Sequence, residues 1–129
     1  MSHALLADAL LVLHGLFIVW VVAGGAAVWR RPALAWLHVP AVTWGVWISW
    51  SGGICPLTPI EQRLRRAAGQ AGYEGGFIDH YLGRLIYPEG LTPAWQFAYG
   101  AFVLAINLVA YVLAAHRVIS RRRHQETCT

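Results

Sequence analysis

The chain has 129 residues, of which 57% are apolar and only 12% are charged, and all ten basic residues are arginine. Soluble domains average roughly 45–50% apolar and about 25% charged residues. This composition excludes a disordered chain, a disulfide-bonded secreted module and an ordinary soluble enzyme, and it predicts a single all-α integral membrane domain over residues 1–129.

Three stretches are long and apolar enough to be transmembrane helices, which need about 20 mostly apolar residues. Residues 9–29, 32–60 and 90–116 contain no Asp, Glu, Lys or Arg, so the predicted spans are about 4–29, 33–54 and 93–118. The first span has no basic residue before its apolar run, and Arg30 and Arg31 follow it. A signal peptide has the reverse arrangement, so this segment is predicted to be a retained helix.

The connection over residues 55–91 is predicted to be an ordered outer cap of two short amphipathic helices. Thr58-Pro59-Ile60-Glu61 has the pattern of a helix start, with Thr58 as N-cap, and Gly69 is suited to ending that helix. Residues 77–88 then place apolar residues on one face of a helix and polar residues on the other, but this stretch is too short to span a membrane. Thr92-Pro93 repeats the cap-then-proline pattern at the start of the last span.

The arginines predict how the three spans are oriented. Six of them lie on the side of the first turn and the C-terminal tail: Arg30, Arg31, Arg117, Arg121, Arg122 and Arg123. The other four lie in the outer cap, where acidic residues dilute them. The positive-inside rule therefore places the N-terminus outside and the basic tail, residues 117–129, in the cytoplasm, where it contacts anionic lipid.

Three markers occur in order along the chain: RRPALAWLHVPA at residues 30–41, GICPLTPIE at residues 53–61, and GYEGGFIDHYL at residues 72–82, followed by LIYP at residues 85–88. With these markers the chain resembles a family of short bacterial membrane proteins catalogued as domain of unknown function 2784. The resemblance implies a location in the bacterial inner membrane. The resemblance implies no activity, so it assigns no catalytic residue to this chain.

Polar residues inside the predicted spans are the first candidate site residues, because ionisable groups within a membrane are costly and usually functional. Asp8 lies near the outer end of the first span, where it is predicted to pair with His80 or Arg84 of the cap or to relay protons with a nearby histidine. His14 lies close to the middle of the bilayer, and Asn107 of the third span is its predicted partner. These five residues form the predicted polar seam and anchor, and tight helix packing explains them equally well.

His38 and His116 are the candidate cofactor ligands. Both are predicted near the inner surface at similar depth, and axial histidines can hold a haem iron. His14 lies roughly 14 Å deeper on the rise of 1.5 Å per residue, which excludes it from the same iron. A quinone bound between Trp44 and Trp47 is one alternative to haem. The other is that these histidines and tryptophans only pack against their neighbours.

We therefore predict a non-enzymatic membrane subunit that self-associates or accompanies a larger membrane complex. The alternative is a redox component that binds haem or quinone through His38 and His116. An enzyme with its site in the outer cap is a third interpretation, with Cys55, Glu61, Asp79 and His80 as candidate groups. The sequence contains no nucleic-acid recognition module and no spacing typical of a metal site.

Overall fold

The computed structural model describes residues 2–72 and 92–128, and these residues form helices and short turns only. Four α-helices follow one another: α1, His3–Arg30; α2, Ala35–Ser51, preceded by a single 3-10 turn at Pro32–Leu34; α3, Leu57–Ala67; and α4, Pro93–Thr127. The all-α prediction is confirmed. The second predicted cap helix, with His80 and Arg84, lies outside the described residues.

The ends of the helices follow from local sequence. The Ser2 hydroxyl accepts a hydrogen bond from the Leu5 amide at 3.3 Å and so caps α1. Gly52 ends α2 in the left-handed region, with φ of 67°, which is costly for residues that carry a Cβ. Thr92 precedes Pro93 at the first position of α4, as the sequence predicts. Residues 117–127 of the predicted basic tail continue α4 without a break.

The start of α3 differs from the prediction. The helix begins at Leu57 with Pro56 at the N-cap, and Thr58 lies inside it because its amide already donates to the Cys55 carbonyl at 2.9 Å. Thr58 and Glu61 lie on the buried face of this helix, whereas Ile60 is exposed. Gly69, with φ of 77°, follows the helix end as predicted.

Two of the helices, α1 and α4, are long and apolar enough to cross a membrane. The second predicted span forms α2, whose 17 residues are fewer than the roughly 20 that a membrane-spanning helix needs. The structure therefore supports two candidate membrane helices directly, and three crossings are not established by helix length.

The long helices form an up-down-up bundle. His38 of α2 lies between Trp20 of α1 and Tyr111 of α4. At the other end of α2, the Trp50 indole donates to the Phe97 carbonyl of α4 at 3.2 Å. These pairs make α2 antiparallel to α4. The short connection over residues 31–34 makes the packed pair α1 and α2 antiparallel as well, so α1 and α4 run in the same direction. Among the described elements, α3 packs against α1 alone.

The contact faces show a spacing of seven residues. Ala7, His14, Val21 and Val28 are buried on α1, and Gly100 and Asn107 are the buried residues of α4. A repeat of seven keeps one face turned toward neighbouring helices that cross at a shallow angle. The apolar centre consists of Val21, Val42 and Val46, flanked by Phe17, Ala41, Val103 and Leu104.

The bundle has an apolar exterior and a partly polar interior. Among the described residues, the largest fully buried side chains are His38, Glu61 and Thr58. The long aliphatic and aromatic side chains point outward instead, with exposures of 61% at Leu16 and 65% at Val112. A soluble protein buries most such side chains, so this distribution is the inverse of a soluble core.

Gly100→Ala should destabilise the bundle because α2 crosses α4 closely at this position. A Cβ on Gly100 would lie 2.6 Å from Cδ1 of Trp50 and 3.1 Å from Cβ of Ser49. We expect a loss of about 1–3 kcal/mol, as for other overpacked sites, measured as thermal unfolding of the protein in detergent.

Gly15→Ala is the matched control, since a Cβ there would meet nothing within 4 Å. Replacing a helical glycine with alanine at an open position should stabilise by roughly 0.5–1 kcal/mol. Equal effects of the two substitutions would contradict the close crossing at Gly100.

Candidate functional site: two buried polar clusters

The described residues place two polar clusters in the bundle. The His38 cluster joins α1, α2 and α4 and consists of Trp20, Gly24, His38, Asn107 and Tyr111. The Glu61 cluster lies between α1 and α3 and consists of Asp8, His14, Thr58, Glu61 and Arg65.

The His38 imidazole is fully buried and both of its nitrogens are hydrogen-bonded. Nε2 lies 3.1 Å from the Trp20 carbonyl oxygen, and Nδ1 lies 2.9 Å from the Tyr111 hydroxyl. Because a carbonyl can only accept, Nε2 carries the proton, and Nδ1 of the neutral ring then accepts from the Tyr111 hydroxyl. The two partners thus assign the tautomer of His38.

Gly24 makes the approach of His38 to α1 possible. A Cβ at this position would lie 2.5 Å from Cδ2 and 2.7 Å from Nε2 of His38. The Trp20 carbonyl lies one helical turn earlier on the same face, so only a glycine lets the imidazole reach it. The Trp20 ring meets the imidazole edge-on at 5.2 Å between centroids, and the Tyr111 ring lies nearly parallel to it.

Asn107 joins α4 to α1 in the same region. Its side-chain nitrogen donates to the Val21 carbonyl at 2.9 Å and to the Val103 carbonyl at 2.8 Å. The sequence identified Asn107 as a polar seam residue, but its recorded bonds are to these backbone carbonyls rather than to His14. Gly25 opposes it, at a point where a Cβ would come within 2.9 Å of the Ala110 side chain.

The end of α1 is held against the second half of α4 beside this cluster. The Trp29 indole donates to the Ala110 carbonyl at 2.6 Å, and the Arg117 guanidinium carbon lies 4.8 Å from the centre of the Trp29 ring. A cation over the face of a tryptophan is stabilised by the negative face of the ring. Arg117 is therefore fixed at the same end of the bundle as Arg30 and Arg31.

The two predicted cofactor ligands have different surroundings. His116 is exposed on α4, whereas His38 is buried and its partner on α4 is Tyr111. Helix geometry turns position 116 about 140° away from position 111. Coordination of iron by His38 would require the loss of one of its two hydrogen bonds, so the geometry favours an interpretation of His38 as a residue that joins helices.

The Glu61 cluster is a network of charges. Arg65 Nε lies 2.8 Å from Oε1 of Glu61, and Arg65 Nη2 lies 3.3 Å from Oδ1 of Asp8. Glu61 is only 1% exposed, Thr58 is fully buried, and the Asp8 carboxylate is 61% exposed. His14 is also buried, on α1. The network thus leads from the surface at Asp8 into the bundle.

Asp8 attaches α3 to α1 through Arg65, a partner that the sequence did not predict. Arg65 is its partner among the described residues, whereas the predicted partners His80 and Arg84 lie outside them. The signal was present as the i, i+4 pair of Glu61 and Arg65 on the same helix face as Thr58.

These features define a class of small all-α protein with two helices suited to crossing a membrane and with polar groups buried between its helices. The chain belongs to the family described as Protein of Unknown function (DUF2784), whose family model matches residues 4–112. The match includes both clusters and confirms the resemblance seen in the sequence. No curated protein and no solved structure matches the chain.

Tyr111→Phe tests the His38 cluster. It removes the hydroxyl that donates to His38 Nδ1 and leaves a buried acceptor without its partner, which costs about 1–3 kcal/mol of the free energy of unfolding. Thermal unfolding of the purified protein in detergent measures the loss.

Tyr99→Phe is the matched control, because the Tyr99 hydroxyl makes no hydrogen bond to any of the residues that the structure describes. A change within about 0.5 kcal/mol is expected there. If both substitutions change the unfolding free energy equally, the bond between Tyr111 and His38 does not hold the helices together.

Proposed function

We propose that this chain is an integral membrane protein of three spans that acts by association, either with copies of itself or as an accessory subunit of a larger complex in the bacterial inner membrane. The observation that carries the membrane location is the apolar exterior of the bundle. Burying an exposed aliphatic side chain in lipid is worth about 1.5–3 kcal/mol. The lipid bilayer is therefore the first partner of this protein.

The direction of the helices supports the third crossing. Since α1 and α4 run in the same direction, a chain that crosses the bilayer in both must return between them. The antiparallel helix α2 is the described element that lies between α1 and α4 in sequence and packs against both. Together with the 3-10 turn before it, α2 has 20 residues, close to the length that a span requires.

The arginines support the orientation. Arg117 contacts Trp29, so the basic end of α4 lies beside Arg30 and Arg31 at the end of α1. The positive-inside rule assigns this end to the cytoplasm. The N-terminus and the Glu61 cluster are then on the outer side of the membrane.

An exposed aromatic stripe on α2 supports association. Trp36, Trp44 and Trp47 point away from the bundle, with exposures of 89%, 43% and 64%. Tryptophans are enriched at the centres of protein interfaces, where they bury a large area at little cost in conformational entropy. An aromatic face on a membrane helix is suited to packing against a further helix. The proposed role in association needs no bound cofactor.

Association predicts that mild extraction yields an assembly larger than the monomer. The Trp36→Ala, Trp47→Ala double variant should lower the apparent mass, because it removes most of the aromatic stripe while leaving the buried face of α2 intact. Size-exclusion chromatography with light scattering measures the mass of the protein component.

Leu13→Ala with Leu16→Ala is the matched control, since these side chains are similarly exposed on α1. It should leave the mass unchanged. A wild-type protein that is a uniform monomer without any co-purifying protein would overturn the proposed association.

A further inference from the structure

Four arginines lie at the end of the bundle where α1 ends beside α4. Arg30 is the last residue of α1 and Arg31 follows it as the C-cap, while Arg117 and Arg121 lie one turn apart on the same face of α4. The Arg117 guanidinium carbon is 4.8 Å from the centre of the ring of Trp29, the residue before Arg30. We call Arg30, Arg31, Arg117 and Arg121 the basic patch.

The basic patch has no acidic counterpart in the described ranges 2–72 and 92–128, where none of its arginines forms an ion pair. The described side-chain carboxylates are those of Asp8, Glu61 and Glu126. Asp8 and Glu61 both bond Arg65, and Asp8 is about 33 Å from Arg30 along the axis of α1. A group of guanidinium charges that no carboxylate balances attracts an anion.

The third carboxylate, that of Glu126, lies on the other side of α4. Helix geometry turns position 126 about 140–180° away from Arg117 and Arg121, whereas Arg122 and Arg123 lie within one turn of it on its own side. This end of α4 therefore has one side with two arginines and no acidic residue, and another side on which the arginines have an acidic neighbour.

Exposed apolar side chains lie next to the basic patch. Leu113 is one turn before Arg117 on the same face of α4 and is exposed, and Trp36, in the first turn of α2, is exposed as well. In the proposed membrane location these side chains contact lipid. A ligand with an anionic head and apolar chains can therefore contact the arginines and the apolar surface together.

We propose that the basic patch binds the phosphate group of an anionic phospholipid, whose acyl chains lie against the exposed apolar side chains. Guanidinium groups donate pairs of hydrogen bonds to phosphate oxygens, and the contact with Trp29 fixes Arg117 before the lipid arrives. The site rests on the proposed membrane location and goes beyond it. It assigns lipid binding to one side of α4 and the end of α1 instead of to the whole basic tail.

Native mass spectrometry of the full chain in a mild non-ionic detergent measures the binding. The protein is titrated with dioleoylphosphatidylglycerol and, in separate series, with dioleoylphosphatidylcholine and with inorganic phosphate. Phosphatidylcholine balances its phosphate with its own choline, and inorganic phosphate lacks acyl chains. We expect phosphatidylglycerol to bind about tenfold more tightly than either. Equal or tighter binding of phosphatidylcholine or inorganic phosphate would exclude an anionic lipid as the ligand.

Two double variants with the same net charge locate the site on α4. Arg117→Gln with Arg121→Gln should weaken phosphatidylglycerol binding by about tenfold or more, because it removes hydrogen bonds between charged groups. Arg122→Gln with Arg123→Gln is the matched control, which removes the same charge from the other side of the helix. It should weaken binding by less than about threefold, since solvent and salt screen these exposed charges.

Arg30→Gln with Arg31→Gln tests the site from α1 and leaves the contact between Arg117 and Trp29 in place. It should weaken binding about as much as the loss of Arg117 and Arg121. Both patch variants must lose more affinity than the control. Any other order overturns the site, and equal losses in all three variants would show attraction to the total charge alone. The measurement in detergent requires neither association nor the proposed orientation, so the lipid site fails separately from them.

Discussion

The two hydrogen bonds of the His38 imidazole join the three long helices at one point. The ring belongs to α2, its Nε2 donor bonds a carbonyl of α1, and its Nδ1 acceptor bonds a hydroxyl of α4. Glycine at position 24 leaves room for the first bond, and the neutral ring with its proton on Nε2 makes both bonds. Asn107 repeats the same device between α4 and α1, again by donating to a backbone carbonyl.

This arrangement explains how a bundle with so few large buried apolar side chains holds together. Its valine core is small, and its long aliphatic side chains are on the outside. Helices in lipid gain little from burying apolar surface, so close packing at small residues and hydrogen bonds across the contact supply the association. In the proposed bilayer location, polar groups have no water to bond, and the interior of the bundle provides their partners instead.

Several local features of the fold follow directly from the sequence, and the contacts between helices do not. Thr92-Pro93 begins α4 as predicted, and Asn107, predicted as a polar seam residue, lies on the buried face of that helix. The bond between Tyr111 and His38 spans 73 residues, and no local pattern indicates it. Thr58 has the spacing of an N-cap, but Pro56 and the bond to the Cys55 carbonyl start α3 earlier. The pairing of Asp8 with Arg65 depends on how α3 packs against α1, which no local pattern indicates.

The proposed bundle, which holds polar groups inside three membrane crossings, is tested most directly by the sides of the membrane on which residues 2 and 128 lie. Two variants with a single cysteine are expressed in spheroplasts and treated with a membrane-impermeant maleimide. The first carries Ser2→Cys together with Cys55→Ser and Cys128→Ser, so its cysteine is at position 2. The second carries Cys55→Ser alone and keeps Cys128. Three crossings with the proposed orientation predict that the Ser2→Cys variant is labelled in intact spheroplasts and that Cys128 is labelled only after lysis. Labelling of both positions from the same side would contradict three crossings.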